Sequence, residues 1–170
     1  MSTNVYKIPK MKMKFYFLSI AVCLVSGITY GQCDCEKIAR DDGTTITQCN
    51  SLPIAFDNST QVGIAAASNG QEKFITITVR FKSAAKDISG DLSIRLSDNS
   101  LITFELINAQ LAYIGNSEVA QGVFLISESQ IGKLKKSEIK TISFKLQDGL
   151  LRTFEATSNA GILKKQISCL

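Results

Sequence analysis

The sequence predicts an all-β domain built as an antiparallel β-sandwich, with a closed β-barrel as the alternative topology. Apolar and polar residues alternate with period two. The clearest case is Lys73 to Phe81, where Ile75, Ile77, Val79 and Phe81 share one face and Thr76, Thr78 and Arg80 the other. Turn-forming clusters separate such runs: Asn69-Gly70, Ser89-Gly90-Asp91, Ser97-Asp98-Asn99-Ser100 and Gln147-Asp148-Gly149. Helix-period patterning is confined to one short stretch, so strands must supply the core.

Taken in chain order, the first element is a leader rather than part of the fold. Lys7, Lys10, Lys12 and Lys14 precede an apolar run, Phe15 to Val25, broken only by Ser19. Small and turn-forming residues follow, with Thr29 and Gly31 at the −3 and −1 positions of a cleavage site. Residues 1–31 therefore read as a signal peptide and 32–170 as a single β-sandwich domain; Met1 to Lys10 read as an upstream extension, because Met11-Lys12-Met13-Lys14 is itself a normal leader start. The apolar run is shorter than the roughly 20 residues that span a bilayer. Neither Gln32 before Cys33 nor Val22 before Cys23 is the small residue that lipid attachment requires.

Strands are expected at Thr44–Cys49, Thr60–Ser68 and Lys73–Phe81, then around Leu92, Ile94 and Leu96. Ile102, Phe104 and Leu106 read as one further strand, followed by Leu111–Ile114 and Val119–Ile126. Val123-Phe124-Leu125-Ile126 has no polar face and is expected in the middle of the fold, buried on both sides. Ser127-Glu128-Ser129-Gln130 has the form of a capping box, with Ile131 and Leu134 behind it, which predicts one short helix near 128–136. The alternation of Ile142, Phe144 and Leu146 and the run Leu150–Ala156 complete the strands. Ile162, Leu163 and Ile167 fit either a helical turn or a last strand.

Charge and cysteine usage agree with export. The chain has 19 Lys and Arg against 15 Asp and Glu, and the four leader lysines own the whole excess. Residues 32–170 are then formally neutral, which argues against nucleic acid and against an anionic membrane surface as partners. Lys133, Lys135, Lys136 and Lys140 read as a solvated helix face. Cys33, Cys35, Cys49 and Cys169 lie after the leader, an even set suited to an oxidising compartment. A Cys33–Cys35 bridge would close a very small strained ring, so each pairs with Cys49 or Cys169, the order being open. Either order ties the start of the domain to its end, a closure the chain-entropy model values at about 4 to 5 kcal/mol. A zinc site is disfavoured by the absence of histidine and by Cys-x-Cys spacing without a second pair. A redox-active dithiol would use Cys-x-x-Cys instead.

The passage from Ser127 to Phe144, with Ile131, Leu134, Ile139 and Ile142 as its apolar positions, resembles a pattern in small exported bacterial β-domain proteins of unassigned function. The resemblance spans about residues 127–144 and implies a compact exported β domain. It implies no catalytic group.

Without histidine, Ser-His-Asp and Cys-His catalysis are excluded, and no nucleophile elbow, phosphate loop or dinucleotide fingerprint is present. The expectation is a non-enzyme without cofactor. Acids sit in turns or at outward positions such as Glu105, where solvation accounts for them. Asp41-Asp42-Gly43, Asp87 to Asp91 and Asp98-Asn99-Ser100 place oxygen atoms in tight loops; the turn reading is preferred, with Asp87 and Asp91 as the calcium candidates to examine. Sugar platforms need aromatics, yet tryptophan is absent and Tyr113 is the only tyrosine after the leader. Tyr113 and Phe74 are expected to pack rather than to form a lectin face. The leading reading is an exported protein, periplasmic or extracellular, that binds a protein or cell-surface component. A barrel that binds small apolar ligands and a hydrolase using carboxylates alone are the alternatives.

Overall fold

The alternating runs become strands of two antiparallel sheets in the computed structural model, which describes residues 34–170 apart from 42 and 116. The large sheet contains β1 (Cys35–Ala39), β2 (Thr45–Cys49), β3 (Leu52–Phe56), β4 (Thr60–Ser68), β5 (Lys73–Phe81), β8 (Leu106–Ile114) and β9 (Ser117–Ile126). Its order is β1-β2-β4-β5-β9-β8, and β3 shares one edge of β4 with β2. The small sheet contains β6 (Leu92–Leu96), β7 (Leu101–Phe104), β10 (Ile139–Lys145) and β11 (Leu151–Glu155), in the order β11-β10-β6-β7. Helix α1 (Glu128–Leu134) links β9 to β10, and α2 (Ile162–Ile167) ends the chain. The architecture is therefore the all-β sandwich; the barrel alternative is corrected, because both sheets keep open edges instead of pairing into a closed ring.

Three hairpins share one reversal. Arg40 N–H donates to Thr44 C=O (2.8 Å) and Gly43 N–H to Arg40 C=O (3.0 Å). Leu96 with Ser100 and Asn99 with Leu96 repeat the pattern, as do Leu146 with Leu150 and Gly149 with Leu146. Each reversal puts a left-handed residue before the returning strand: Gly43 at φ 79°, Asn99 at 65° and Gly149 at 78°. Glycine and asparagine tolerate that conformation best, so the Asp-Gly and Asp-Asn signals in the sequence fix these hairpins.

Between the sheets lies one core, in which Phe104, Phe124, Phe144 and the isoleucines and leucines of the inward faces are fully buried. Phe144 and Phe154 stack at 5.6 Å on neighbouring strands of the small sheet. Ile131 and Leu134 of α1 and Ile162, Leu163 and Ile167 of α2 extend this core. The C-terminal segment is thus a helix, the first of the two forms its apolar spacing allowed. Helix α1 begins where Ser127 N–H donates to the Gln130 side-chain oxygen at 2.7 Å.

Two departures from the periodicity have physical causes. Ile102, Phe104 and Leu106 do not lie on one strand: the chain leaves the small sheet after Phe104 and enters the large one at Leu106, so their common alternation spans a sheet change at Glu105. Strands β1 and β3 lack the signal that would announce them. Cys-Glu-Lys-Ile-Ala exposes both faces along most of its length, and Leu-Pro-Ile-Ala-Phe carries a proline beside an irregularity in its pairing with β4.

Cys35 and Cys49 are directly opposed on β1 and β2 and form a disulfide across 14 residues. Asn50 N–H donates to Asp34 C=O, which makes that pair hydrogen-bonded and the adjacent Cys35–Cys49 pair non-hydrogen-bonded, the position where opposed side chains approach most closely. Cys169 is also disulfide-bonded. Such bonds persist in oxidising environments outside the cytosol. Among the described residues, no helix is long and apolar enough to cross a membrane.

Candidate functional site: the concave outer face of the large sheet

A sandwich buries one face of each sheet and leaves the other to solvent. On β5 the outward residues are Phe74, Thr76 and Thr78, and their partners on β9 are Leu125, Val123 and Gln121. On β4 the same face carries Ala67, Ala65 and Gly63. Of these, Phe74, Thr76, Thr78, Gln121, Val123 and Ala67 form the floor of a groove of about 620 Å³ on this face. Arg40, Ile46 and Gln48 of the β1–β2 hairpin line one wall, and Ile107, Asn108, Gln110 and Ile114 of β8 the other. A smaller hollow of about 180 Å³ shares Ser51, Thr78 and Ile114 with it and adds Pro53, Gln61 and Arg80. The combined volume falls in the range of sites that hold a small ligand or a short polymer segment.

The lining is rich in neutral hydrogen-bonding groups. Gln48, Asn69, Asn108, Gln110 and Gln121 each present both a donor and an acceptor, and Thr76, Thr78 and Ser51 add hydroxyls. Arg40 and Arg80 are the charged residues among the described residues lining the two hollows, and no described carboxylate lines either. Gln110 and Gln121 approach each other across β8 and β9, amide nitrogen to amide oxygen at 3.4 Å. The groove can therefore exchange hydrogen bonds with an uncharged ligand while Phe74, Ile46, Ile107 and Val123 supply apolar contact.

Several sequence expectations are corrected by this face. Val123 and Leu125 are only half-buried while Phe124 and Ile126 are buried, so the apolar run of β9 has one face in the core and one in the groove. The strand is central in its sheet, but among the described residues no second layer covers its outer side. Phe74 lies on the groove floor, and Tyr113 is 75 % exposed, so neither packs as a core aromatic. The groove residues were not identifiable from sequence, since polar residues at alternate strand positions look the same whether a face is flat or concave.

The carboxylates are occupied with turns. Asp98 Oδ1 accepts from Ser100 Oγ (2.6 Å) and N–H (2.9 Å), and the Ser100 hydroxyl bond first, then the backbone bond, holds this carboxyl below the ordinary 3.8. Asp148 is lowered by the hydrogen bond from Lys86 at 2.8 Å, then by that from Leu150 N–H. At Asp57 partial burial acts to raise the carboxyl, but hydrogen bonds from Ser59 and Thr60 together outweigh it and lower it. Asp57 and Asp98 are held toward the ionised form by hydrogen bonds of their own turns and Asp148 first by Lys86, the opposite of what a general acid needs. Asp87 and Asp91 bond to different parts of the molecule. The Asp87 carbonyl accepts from Gln147 N–H (2.9 Å), one Asp87 carboxylate oxygen is buried without a partner, and Asp91 accepts from Leu106 N–H at 3.4 Å. Among the described residues, no three His, Cys, Asp or Glu side chains gather where they could hold a metal. Lys133, Lys135, Lys136 and Lys140 are exposed but do not form one helix face: Lys133 lies in α1, Lys135 caps it, Lys136 follows in a turn, and Lys140 is on β10, donating to Asn99 Oδ1 at 3.1 Å.

No family model matches the chain, and neither the comparison with curated proteins nor that with solved structures gives a match.

Proposed function

We propose that the domain is an exported, non-enzymatic binding module whose concave outer face takes an uncharged, hydrogen-bonding segment of a protein or cell-surface component. The observation that carries this reading is the groove itself, lined by five side-chain amides, several hydroxyls and aliphatic carbons. Such a lining rewards ligands rich in amides or hydroxyls and offers little to a highly charged polymer. The absence of a carboxylate from the lining favours binding over hydrolysis, which would need an acid and a base beside the ligand. The apolar-ligand alternative is less well supported, because the space between the sheets is filled by Phe104, Phe124, Phe144 and their neighbours.

Gln121→Arg tests the groove. It places a charged, longer side chain on the floor, and labelled protein is expected to bind intact cells and purified surface polymers at least about tenfold less well, with an unchanged melting temperature. Lys136→Ala, in the exposed turn just after α1, serves as the control and retains binding. Equal binding by Gln121→Arg, or turnover of a screened substrate by the wild type, would remove the reading.

Export and disulfide pairing are tested together. The mature chain begins at Gln32 and holds no free thiol. With Cys35 joined to Cys49, the remaining pair in this reading is Cys33 with Cys169. An intact mass of the secreted protein with and without reduction, followed by non-reducing peptide mapping, should show cleavage after Gly31 and a Cys33–Cys169 peptide. Detection of Cys23 in the secreted protein would contradict it.

A further inference from the structure

Of the five sheet edges among the described residues, four carry the usual protection against pairing with another chain. β1 has Glu36 and Lys37, β11 has Arg152 and Glu155, β3, which pairs only with β4, has Pro53, and β7 is only four residues long. The fifth, β8, has none of these: its nine residues, Leu-Ile-Asn-Ala-Gln-Leu-Ala-Tyr-Ile, contain no charge and no proline. Its apolar side chains are exposed, Leu111 at 43 % and Tyr113 at 75 %. A long uncharged edge with exposed apolar side chains is a ready template for pairing with another chain.

The bonding pattern determines what the edge offers. Leu125 N–H donates to Glu105 C=O, so in β9 the amides of Leu125, and by steps of two Val123, Gln121, Val119 and Ser117, point toward β8. Their partners Asn108, Gln110, Ala112 and Ile114 are thereby bonded. Ala109, Leu111 and Tyr113 turn their N–H and C=O groups outward. An irregularity at Ile107 interrupts the ladder, which leaves Asn108 to Ile114 as the regular stretch, with Leu111 at its centre.

We infer that β8 is a homodimer edge, pairing antiparallel with β8 of a second copy about a two-fold axis at Leu111. In that register Leu111 faces Leu111 of the other copy, and the exposed Tyr113 ring lies over the small Ala109. On the groove side Gln110 faces Ala112, and Asn108 faces Ile114. Tyr113 and Gln110 each meet an alanine, Leu111 meets its own copy in an apolar pair, no like charges are opposed, and the outward amides of Ala109, Leu111 and Tyr113 all find partners. A second copy is favoured over an unrelated chain because the strand complements itself in both charge and size. The two large sheets become continuous, so two concave faces lie side by side. This goes beyond the binding reading and does not depend on it.

Sedimentation of the wild-type secreted protein over a concentration series should give twice the chain mass. Leu111→Lys and Leu111→Glu each oppose like charges at the axis and should sediment as monomers, while an equimolar mixture of the two should regain the dimer mass. Position 111 is solvent-accessible at an edge, and far-ultraviolet circular dichroism confirms that each variant is folded. A monomeric wild type, or variants that stay dimeric, would overturn the inference. A mixture that stays monomeric while the wild type dimerises would overturn the β8 register. If Leu111→Lys misfolds, Tyr113→Lys, at the more exposed position opposite Ala109, repeats the test.

Discussion

Gln166→Met is expected to lower the unfolding free energy by about 2 to 4 kcal/mol, although it preserves the length and nearly the volume of the side chain. Strand β4 changes partners along one edge: Ile64 pairs with Leu52 of β3, and Ala67 with Gln48 of β2. Between these, the backbone of Ala66 has no strand beside it. The Gln166 side chain from α2 fills the gap, its Oε1 accepting from Ala66 N–H at 2.9 Å and its Nε2 donating to Asn50 C=O at 2.8 Å. At 4 % exposure it acts as a missing piece of ladder. A thioether satisfies neither backbone group, and a buried group left unbonded costs about 1 to 3 kcal/mol. Gln166→Glu should cost at least as much as Met at neutral pH, since a carboxylate can accept from Ala66 but cannot donate to Asn50, and its charge is buried against that carbonyl oxygen. Urea denaturation with an unchanged m-value is the measurement; a loss below about 0.5 kcal/mol for Met, the scale of an ordinary surface change, would show the two bonds to be incidental.

Nothing in the sequence marks Gln166 for this role. It follows Lys164 and Lys165 in a six-residue helix and reads as one more polar surface residue; its value arises from a strand exchange about a hundred positions away. The strands that proved legible are those whose alternation is imposed by a single buried face, such as Lys73–Phe81, whose bounds the structure reproduces. The short helix and the hairpins at Asp98-Asn99 and Asp148-Gly149 were legible for a similar reason, because their signals are local. Strand β1 was hidden because it is an exposed edge, and β7–β8 because a sheet change at Glu105 keeps the alternation while moving the chain to a different sheet. The groove was the least legible feature of all. Thr76, Thr78 and Gln121 appeared as an ordinary solvated face, and what makes them a site is that strands far apart in sequence, β2, β5, β8 and β9, place their outward residues round one hollow.

The edge and the groove meet on β8, which gives that strand two distinct tasks. Asn108, Gln110 and Ile114 point into the groove, while Ala109, Leu111 and Tyr113 present free backbone. Period-two geometry separates the tasks by residue, so Gln121→Arg and Leu111→Lys probe binding and assembly independently.

Phe124→Ala is expected to cost about 3 to 5 kcal/mol, a large part of the roughly 5 to 15 kcal/mol that holds a domain of this size folded. Phe124 is fully buried on the inward face of β9, opposite Ile75 on β5 and Leu106 on β8. Its ring reaches along its own strand over Gly122. A Cβ built on Gly122 would stand 2.9 Å from the ring Cε2 and 3.1 Å from Ile88 Cδ1, closer than packed carbons tolerate. The glycine is the space into which the ring fits, which explains a flexible residue in the middle of a long central strand. Two changes therefore report on one contact. Gly122→Ala should destabilise by about 1 to 3 kcal/mol through overpacking. Combined with Phe124→Ala, the added methyl no longer meets a ring and partly fills the cavity, so the double variant should be more stable than the sum of the two losses allows. Thermal and urea unfolding of the four proteins measures this coupling directly. Additive losses would mean that the ring and the glycine are not packed against each other as described.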